Sequence, residues 1–542
     1  MKKYLILILF LLNSVYPQEK TKLIILHTTD VHGNISPYDY FEDRPARGGL
    51  AKVFTIVKQY RQKEDNLILL DGGDLLQGTP LAYYFNRIES LIPNPLILTM
   101  NYMRYDAFTV GNHDIEQGYH TYTQIREQSH FPWLSANAIR ADRENFFEPF
   151  TIIEKNGIKI GIIGLTTPAI PMWLESYLYP GAEWQDMVTT ASKWVRQLRP
   201  RVDVLIGLFH AGMHEGYSLD LTDTLHLPNE NSSRLVAEKV PGFDVIFCGH
   251  SHRLYPYNKD DPQLINGTLF VMSGSHARYV GVAQLTLAKE KKKNWIIIDR
   301  KSNILTLDTV QAAPEILTIN EPYHLKTLDY IRQVIGTSND TISSRYSRWK
   351  DTPLVQFINQ VQMAITGTDI SFAASFNDSF ILLPGLIRVK DIYGMYKYEN
   401  FLYTVEMSGQ QIKDYLEHCS RYFNVDRQTG RVMADPDLPG YNYDMAEGLG
   451  YEIDVRAPMG ERIKDLKELK TGQPVNKQKI YRVAMNSYRA AGGGGHLSAA
   501  GIRQARIIWR SSEEIRNLLI QYIKTQGTIK IQVDNNWKLT GS

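Results

Sequence analysis

Six short apolar runs, each ending at Gly, Asp or His, restrict the fold of this chain more than any other feature. Leu23–Leu26, Leu67–Leu70, Ala107–Val110, Ile158–Ile163, Val204–Phe209 and Val245–Cys248 are each bounded by Gly, Asp, Asn or His. Apolar runs of this length suit strands covered on both faces by helices. The segments between them, such as Gly49–Lys63 and Ala191–Leu198, carry helical spacing. Thr268–Met272 and Val280–Leu287 add strands, and Trp295–Asp299 closes a hairpin whose basic run, Lys289–Lys293, reads as a solvated turn. The expectation is a layered α/β domain ending near residue 310.

Five motifs follow these runs: Asp30-Val31-His32, Gly73-Asp74, Gly111-Asn112-His113-Asp114, His210, and Gly249-His250-Ser251-His252. An α/β protein builds its site at the carboxyl ends of parallel strands. Asp, Asn and His supply the oxygens and nitrogens that divalent metals take, so Asp30, His32, Asp74, Asn112, His210, His250 and His252 are candidate ligands. Two metals about 3.5–4 Å apart clamp a phosphate, activate the attacking water and stabilise the leaving oxygen. Asp74 opens a turn directly after its strand and suits the bridge. Asp30 and His32 are two apart, as are His250 and His252, and on an extended segment both members of such a pair point the same way. His113 is a candidate general acid. Glu116, three residues on, is placed to orient that imidazole and raise its pKa. A lone His210 is more often structural; the ordered set at strand ends carries the metal reading. The donor set accepts Zn, Mn, Fe or Co alike. His120, His130, His226, His324 and His418 read as surface or structural, while His214 and His276 lie near the site loops.

At 542 residues the chain is too long for one ordinary core. Its 43% apolar and 22% charged content is globular, and a net charge of +2 gives no case for binding a nucleic-acid polymer or a membrane surface. Met1-Lys2-Lys3, the apolar stretch Tyr4–Leu12 and the polar stretch Asn13–Lys20 read as a signal peptide over residues 1–19, too short to span a membrane. No cysteine follows that stretch and the C-terminus is polar, so no stable membrane anchor is expected. The mature protein is expected to be a monomer, secreted, periplasmic or extracellular. Cys248 and Cys419 fall in different halves, which argues against a disulfide framework.

Glu315–Gly336 reads as one helix, within a linker over 311–346. A second pattern, expected over 347–535, starts at Thr352-Pro353 with a helix to Ile365. Strands at Ile370–Ala374 and Phe401–Met407, a helix at Gly409–Tyr422 and Gly-rich turns make it a mixed α/β domain. Two halves joined by one helix leave room for domain rotation.

The order of the five motifs resembles the calcineurin-like metallophosphoesterase domain, and the chain from about 22 to 533 resembles the exported 5′-nucleotidase family. That resemblance implies an αββα sandwich joined by a helix to a substrate-binding domain. It implies one metal held by Asp30, His32 and His252, the other by Asn112, His210 and His250, with Asp74 bridging and His113 catalytic. The family usually carries Asp where this chain has Glu116. Asn231, and Pro241-Gly242-Phe243-Asp244, match as structural residues. The 5′-nucleotidase members usually carry Gly-Gly-x-Arg where this chain reads Phe372-Ala-Ala-Ser-Phe-Asn377, without arginine.

The chain looks more like the branch acting on 2′,3′-cyclic nucleotides. Asp351–Gln362, Tyr441-Asn-Tyr-Asp444 and Asn486-Ser-Tyr-Arg-Ala490 match it, together with Ser375 and Phe376. Tyr398 and Tyr488 match its base-stacking aromatics, each stack worth ~1–3 kcal/mol. Asn400 is placed to read a base edge, and the run Gly492–Gly495, with Gly493 at its centre, to let backbone approach the ligand. Gly494 stands where 5′-nucleotidases often have Asp. The resemblance implies an exported hydrolase that opens 2′,3′-cyclic nucleotides to 3′-nucleotides and then releases phosphate. Two alternatives stay open. One is a 5′-nucleotidase or nucleotide-sugar hydrolase, with a residue such as Arg388 replacing the missing arginine. The other is a nucleotide-binding surface protein with little catalysis.

Overall fold

The computed structural model describes residues 19–90, 93–213, 229–256, 263–290, 294–426 and 428–540. The leader expected over 1–19 lies, except for Glu19, outside the described residues, as do His214 and His226.

Two sheets form the first domain. One runs in the order Asn294–Thr306, Tyr279–Glu290, Lys20–Thr28, Leu67–Asp71, Ala107–Thr109 and Trp133–Leu134. The other runs Leu254–Tyr255, Thr268–Ser273, Val245–Cys248, Val204–His210, Ile158–Thr166 and Phe150–Lys155, with Leu264–Ile265 added beside Thr268–Ser273. Their inner faces interlock through Leu23, Ile25, Ile68 and Leu70 of one sheet and Ile160, Ile162, Ile206 and Phe247 of the other, all fully buried. The outer face of the first sheet packs on helices Leu50–Arg61 and Pro95–Met103. The outer face of the second packs on helices Met187–Leu198 and Ser233–Lys239. This is an αββα sandwich. It explains why the strand runs show no polar alternation: each strand is covered on one face by the other sheet and on the opposite face by helices.

The parallel strands within each sheet end at one edge. Thr28, Asp71 and Thr109 finish parallel neighbours in the first sheet, and His210 and Cys248 in the second. All five metal-type motifs therefore emerge on the same side of the sandwich.

The connecting helix is Pro314–Ile331. It stops before the Gly336 end that its spacing suggests. Val334–Ser338 is instead a strand, antiparallel to Gly385–Arg388 and parallel to Thr528–Ile529. Ile335 of that strand is buried in the core of the second domain, so strand pairing and burial override the helical spacing. The second domain centres on a five-stranded sheet in the order Asp444–Glu447, Ile370–Ala374, Ile480–Asn486, Phe401–Ser408 and Arg506–Glu514. Helices Pro353–Thr366, Gly409–Ser420 and Ile515–Gln526 cover it. Pro353 at the first turn and the left-handed Gly367 at the end bracket the first of these. Ser408 and Gln411 cap the second reciprocally. The domain runs past the expected end at 535, because Trp537–Thr540 pairs with Leu449–Asp454 and buries the Trp537 ring. Among the described residues, no helix is long and apolar enough to cross a membrane.

Candidate metal centre and substrate cleft

The seven metal-type side chains meet at the strand-end edge. Asp30, His32 and His252 form one group and Asp74, His210 and His250 another, in each of which the ligand atoms lie within 4.8 Å of one another. His252 Nε2 is 3.3 Å from Asp30 Oδ1 and 2.9 Å from His32 Nε2. His210 Nε2 is 3.1 Å from Asp74 Oδ2. Asn112 Oδ1 joins the second group, 3.2 Å from His210 Nε2 and 2.9 Å from His250 Nδ1. The groups are stitched together by the backbone N–H of His250, which donates to both oxygens of Asp30 at 3.1 Å.

The backbone here differs from the extended geometry expected for the Asp-x-His pairs. Asp30, His32, Asp74, His250 and His252 all adopt positive φ, between 49° and 75°. These residues lie in left-handed turns beyond their strands, a conformation that costs an L-residue energy and persists only where surrounding structure imposes it. The glycines of the motifs make those turns fit. A Cβ on Gly111 would lie 2.1 Å from Asp74 Oδ1, and one on Gly249 2.1 Å from Thr29 Oγ1 and 2.9 Å from Asp30 Oδ2. Asp114 ties two of the loops together: one oxygen accepts from the N–H of Gly111 and Asp74, the other from Leu75 and Leu76, at 2.8–3.0 Å.

The donor set fits two divalent cations. The Nδ1 of His210 meets the Gly72 carbonyl at 2.6 Å and that of His32 meets the Gln77 carbonyl at 3.0 Å. Those carbonyls fix the tautomer and leave each Nε2 lone pair facing the cluster. Burial disfavours charge on Asp30 and Asp74, but the surrounding imidazoles outweigh it and hold both carboxyls well below the usual carboxylate range.

His113 stands at the rim of the cluster. Its N–H donates to Asp74 Oδ1 at 2.8 Å, and its Nδ1 lies 2.6 Å from Glu116 Oε2. Burial works against the imidazolium, but the Asp74 and then the Glu116 carboxylates outweigh it and raise the His113 pKa to about 10.

A cleft of about 390 Å³ runs from this cluster to the second domain. Asp74, Asn112, His113, His250 and His252 line one end, and Phe376, Tyr398, Asn400, Tyr441 and Tyr488 line the other. Phe376 meets the Tyr398 ring edge-on at 5.0 Å. Two residues expected to touch substrate are set back. Ser375 is buried, and its hydroxyl donates to the Asn377 carbonyl at 3.4 Å. Gly493 lies beneath Tyr488, where a Cβ would come within 2.5 Å of the ring. Its smallness seats the aromatic, and Gly494 is the loop residue that lines the cleft.

Arg388 is not among the lining residues; the guanidinium groups there belong to Arg253, Arg421 and Arg489. Arg489 is locked against Asp444 at 2.8 Å and 3.0 Å and also donates to the carbonyls of Tyr441 and Gly493. It therefore braces the two segments that carry Tyr441 and Tyr488.

The structure adds residues to the site that no motif marks. Glu230 Oε1 is 2.9 Å from His250 Nε2, and the Trp173 ring stacks on His250 at 5.4 Å. Asp114 and Tyr441 stand in the segments Gly111–Asp114 and Tyr441–Asp444 and Glu230 adjoins Asn231, so the sequence points to them only through their neighbours. Trp173 and Arg421 carry no such signal. His276 donates its N–H to the Asp30 carbonyl at 2.7 Å, and burial lowers its pKa to about 4. Asn231 accepts from the Gly212 N–H at 2.9 Å.

A model of the calcineurin-like phosphoesterases matches residues 23–254, and one of the 5′-nucleotidase C-terminal domain matches residues 334–500. The trifunctional nucleotide phosphoesterase protein YfkN of Bacillus subtilis is 29% identical over 97% of this chain, which spans only 39% of that longer protein. A 2′,3′-cyclic-nucleotide 2′-phosphodiesterase/3′-nucleotidase of Haemophilus influenzae is 29% identical, with 95% of this chain and 87% of the relative covered. Among solved structures, a Staphylococcus aureus protein described as a 5′-nucleotidase superposes with a TM-score of 0.83 at 22% identity, covering 96% of this chain and all of the other.

Proposed function

The chain belongs to the family that joins a calcineurin-like phosphoesterase domain to a 5′-nucleotidase C-terminal domain, and from that membership we propose that it is an exported, metal-dependent phosphoesterase of nucleotides. Its preferred substrates are 2′,3′-cyclic nucleotides, opened at the 2′ oxygen to 3′-nucleotides, which it then hydrolyses to nucleoside and phosphate. The observation that carries this reading is one cleft with the metal-type cluster at one end and Phe376, Tyr398, Tyr441 and Tyr488 at the other. A phosphoester needs the first end and a nucleobase the second.

Asp30, His32 and His252 would hold one cation and Asn112, His210 and His250 the other, with Asp74 shared. Two such cations supply Lewis acidity toward the phosphoryl oxygens and the attacking water. The protein supplies the rest. Glu116 holds the His113 proton and points the ring, so that His113 Nε2 can give a proton to the departing ribose oxygen. Tyr398 and Tyr488 hold the base, Asn400 meets its polar edge, and Arg489 keeps the aromatic loops in place. Water adds to phosphorus, the bond to the 2′ oxygen breaks, and that oxygen leaves as a hydroxyl. In the second step the bond to the 3′ oxygen breaks in the same way.

The preference for cyclic nucleotides is supported by the Haemophilus relative, named for that activity, and by the absence of arginine from Phe372–Asn377. Phosphate release from 2′,3′-cyclic AMP, 3′-AMP and 5′-AMP with Mn²⁺ or Zn²⁺ tests it. The first two are expected to be turned over faster, with phosphate from the cyclic ester appearing after 3′-AMP. Faster release from 5′-AMP would overturn the substrate assignment.

A further inference from the structure

One buried polar path joins the base end of the cleft to the acid end, and neither the metals nor the base needs it. Glu399 lies between Tyr398 and Asn400 in the chain, yet its side chain turns away from the cleft and is 3% exposed. Its Oε2 accepts from Gln117 Nε2 of the first domain at 3.1 Å. The same Gln117 amide lies 3.3 Å from the His113 carbonyl. The Oε1 of Glu399 is 3.0 Å from Arg516 Nη2. The Arg516 guanidinium, also buried, is held between the rings of Tyr83, 5.0 Å away in the first domain, and Tyr393, 4.4 Å away in the second. A second strut runs alongside: Arg87 Nη2 donates to the Glu116 carbonyl at 3.3 Å, and its Nε is 3.7 Å from Glu514 Oε1.

Burying a carboxylate, a guanidinium and an amide at a domain boundary is a poor way to add stability, since desolvation offsets most of the attraction. It is an effective way to define a single register, because sliding would keep the Glu399–Arg516 pair within the second domain but take the Gln117 amide from the buried Glu399 carboxylate and the Tyr83 face from Arg516. Both ends of this path are one residue from functional groups: Glu116 precedes Gln117, and Tyr398 and Asn400 flank Glu399. We infer that Gln117, Glu399 and Arg516 form a register pin that sets the distance between the base pocket and the acid–metal end. Gln117 and Glu399 are then positioning residues for nucleotides, acting on which phosphoester reaches the metals without touching it. This rests on the nucleotide reading above only for its substrate arm.

The test reads geometry and specificity separately. Spin labels on Glu127→Cys and Lys470→Cys, both exposed, report the distance between domains, and both native cysteines are buried. In the parent protein the distance distribution should be narrow. Gln117→Met, which keeps volume and removes the side-chain hydrogen bonds to Glu399, the His113 carbonyl and Asn86, should broaden it. The same substitution should lower kcat/KM for 3′-AMP by ~10- to 100-fold, as a shift of about 1 Å in substrate placement does. Turnover of β-glycerophosphate, an alkyl phosphate with no base, should stay within about twofold. A broad distribution in the parent, or equal losses on both esters, would overturn the pin. If Gln117→Met fails to fold, shown by loss of its cooperative thermal unfolding transition, Glu399→Gln is read by the same two measurements. A parent protein that does not prefer 3′-AMP to β-glycerophosphate refutes the nucleotide reading, and the label distances alone then decide the pin.

Discussion

His113 Nδ1 lies 2.6 Å from Glu116 Oε2 while the His113 backbone N–H bonds Asp74 Oδ1 at 2.8 Å, so one residue is fastened to both the Glu116 carboxylate and the proposed shared ligand. Burial opposes charge on His113, and the Asp74 and Glu116 carboxylates together raise its pKa to about 10. With a cation on Asp74, Glu116 would be left to hold the proton. An acid is active below its pKa and is lost as pH rises through it. Glu116→Gln should therefore move the alkaline limb of the kcat profile for 3′-AMP to lower pH. His113→Ala should cost about 10²–10⁴ in kcat, with a much smaller loss on p-nitrophenyl phosphate, whose leaving group needs no acid. An unchanged alkaline limb in Glu116→Gln would remove Glu116 from this role.

Metal removal should abolish activity reversibly. Dialysis against a chelator is expected to leave folded, inactive protein with a lower melting temperature, since whatever binds only the native state stabilises it. Adding Mn²⁺ or Zn²⁺ back should restore both properties. Asp74→Asn should lose most of the turnover on every phosphoester, because Asp74 is the carboxylate of the second ligand group and the proposed shared ligand. Undiminished turnover after exhaustive chelation would be incompatible with the proposed centre.

The aromatic end should affect KM and leave the chemistry intact. Tyr398→Ala and Tyr488→Ala should each weaken nucleotide binding by ~1–3 kcal/mol, the usual worth of one base stack. That corresponds to a rise in KM of roughly 5- to 150-fold. Tyr441→Ala should produce a loss in the same direction, because its ring lies 6.2 Å from that of Tyr398 in the same cleft. Kinetics on 3′-AMP and p-nitrophenyl phosphate side by side separate the outcomes, and equal losses on both substrates would exclude base stacking.

The Arg489–Asp444 pair is almost fully buried, at 2.8 Å and 2% side-chain exposure for each partner. Removing one member of such a pair strands the other, at a cost of about 3–5 kcal/mol. Arg489→Ala should lower the urea midpoint accordingly and, through the freed Tyr441 and Gly493 carbonyls, loosen the base pocket. Denaturant melts of Arg489→Ala and Arg489→Lys check this. A shift below about 1 kcal/mol in Arg489→Ala would show that the pair carries little of the domain's stability.

Sequence alone determined a layered α/β domain and the residues that gather at one of its edges. Fully apolar strand runs have to be covered on both faces, and parallel strands bring their ends to one edge, so the motifs after Thr28, Asp71, Thr109, Phe209 and Cys248 had to converge. Tertiary structure decided everything that depends on which loops meet. The ligand pairs lie in left-handed turns and not on extended chain, because the Gly111–Asp114 and Gly249 loops press against Asp74 and Asp30. The strand Val334–Ser338 replaced the end of the linker helix because its pairing partners come from Gly385–Arg388 and Thr528–Ile529. Glu230 beside His250, Gly493 beneath Tyr488 and Gln117 against Glu399 leave no local pattern. A periodicity records which face of an element is buried, and the contact between Gln117 and Glu399 joins residues 282 positions apart on different domains.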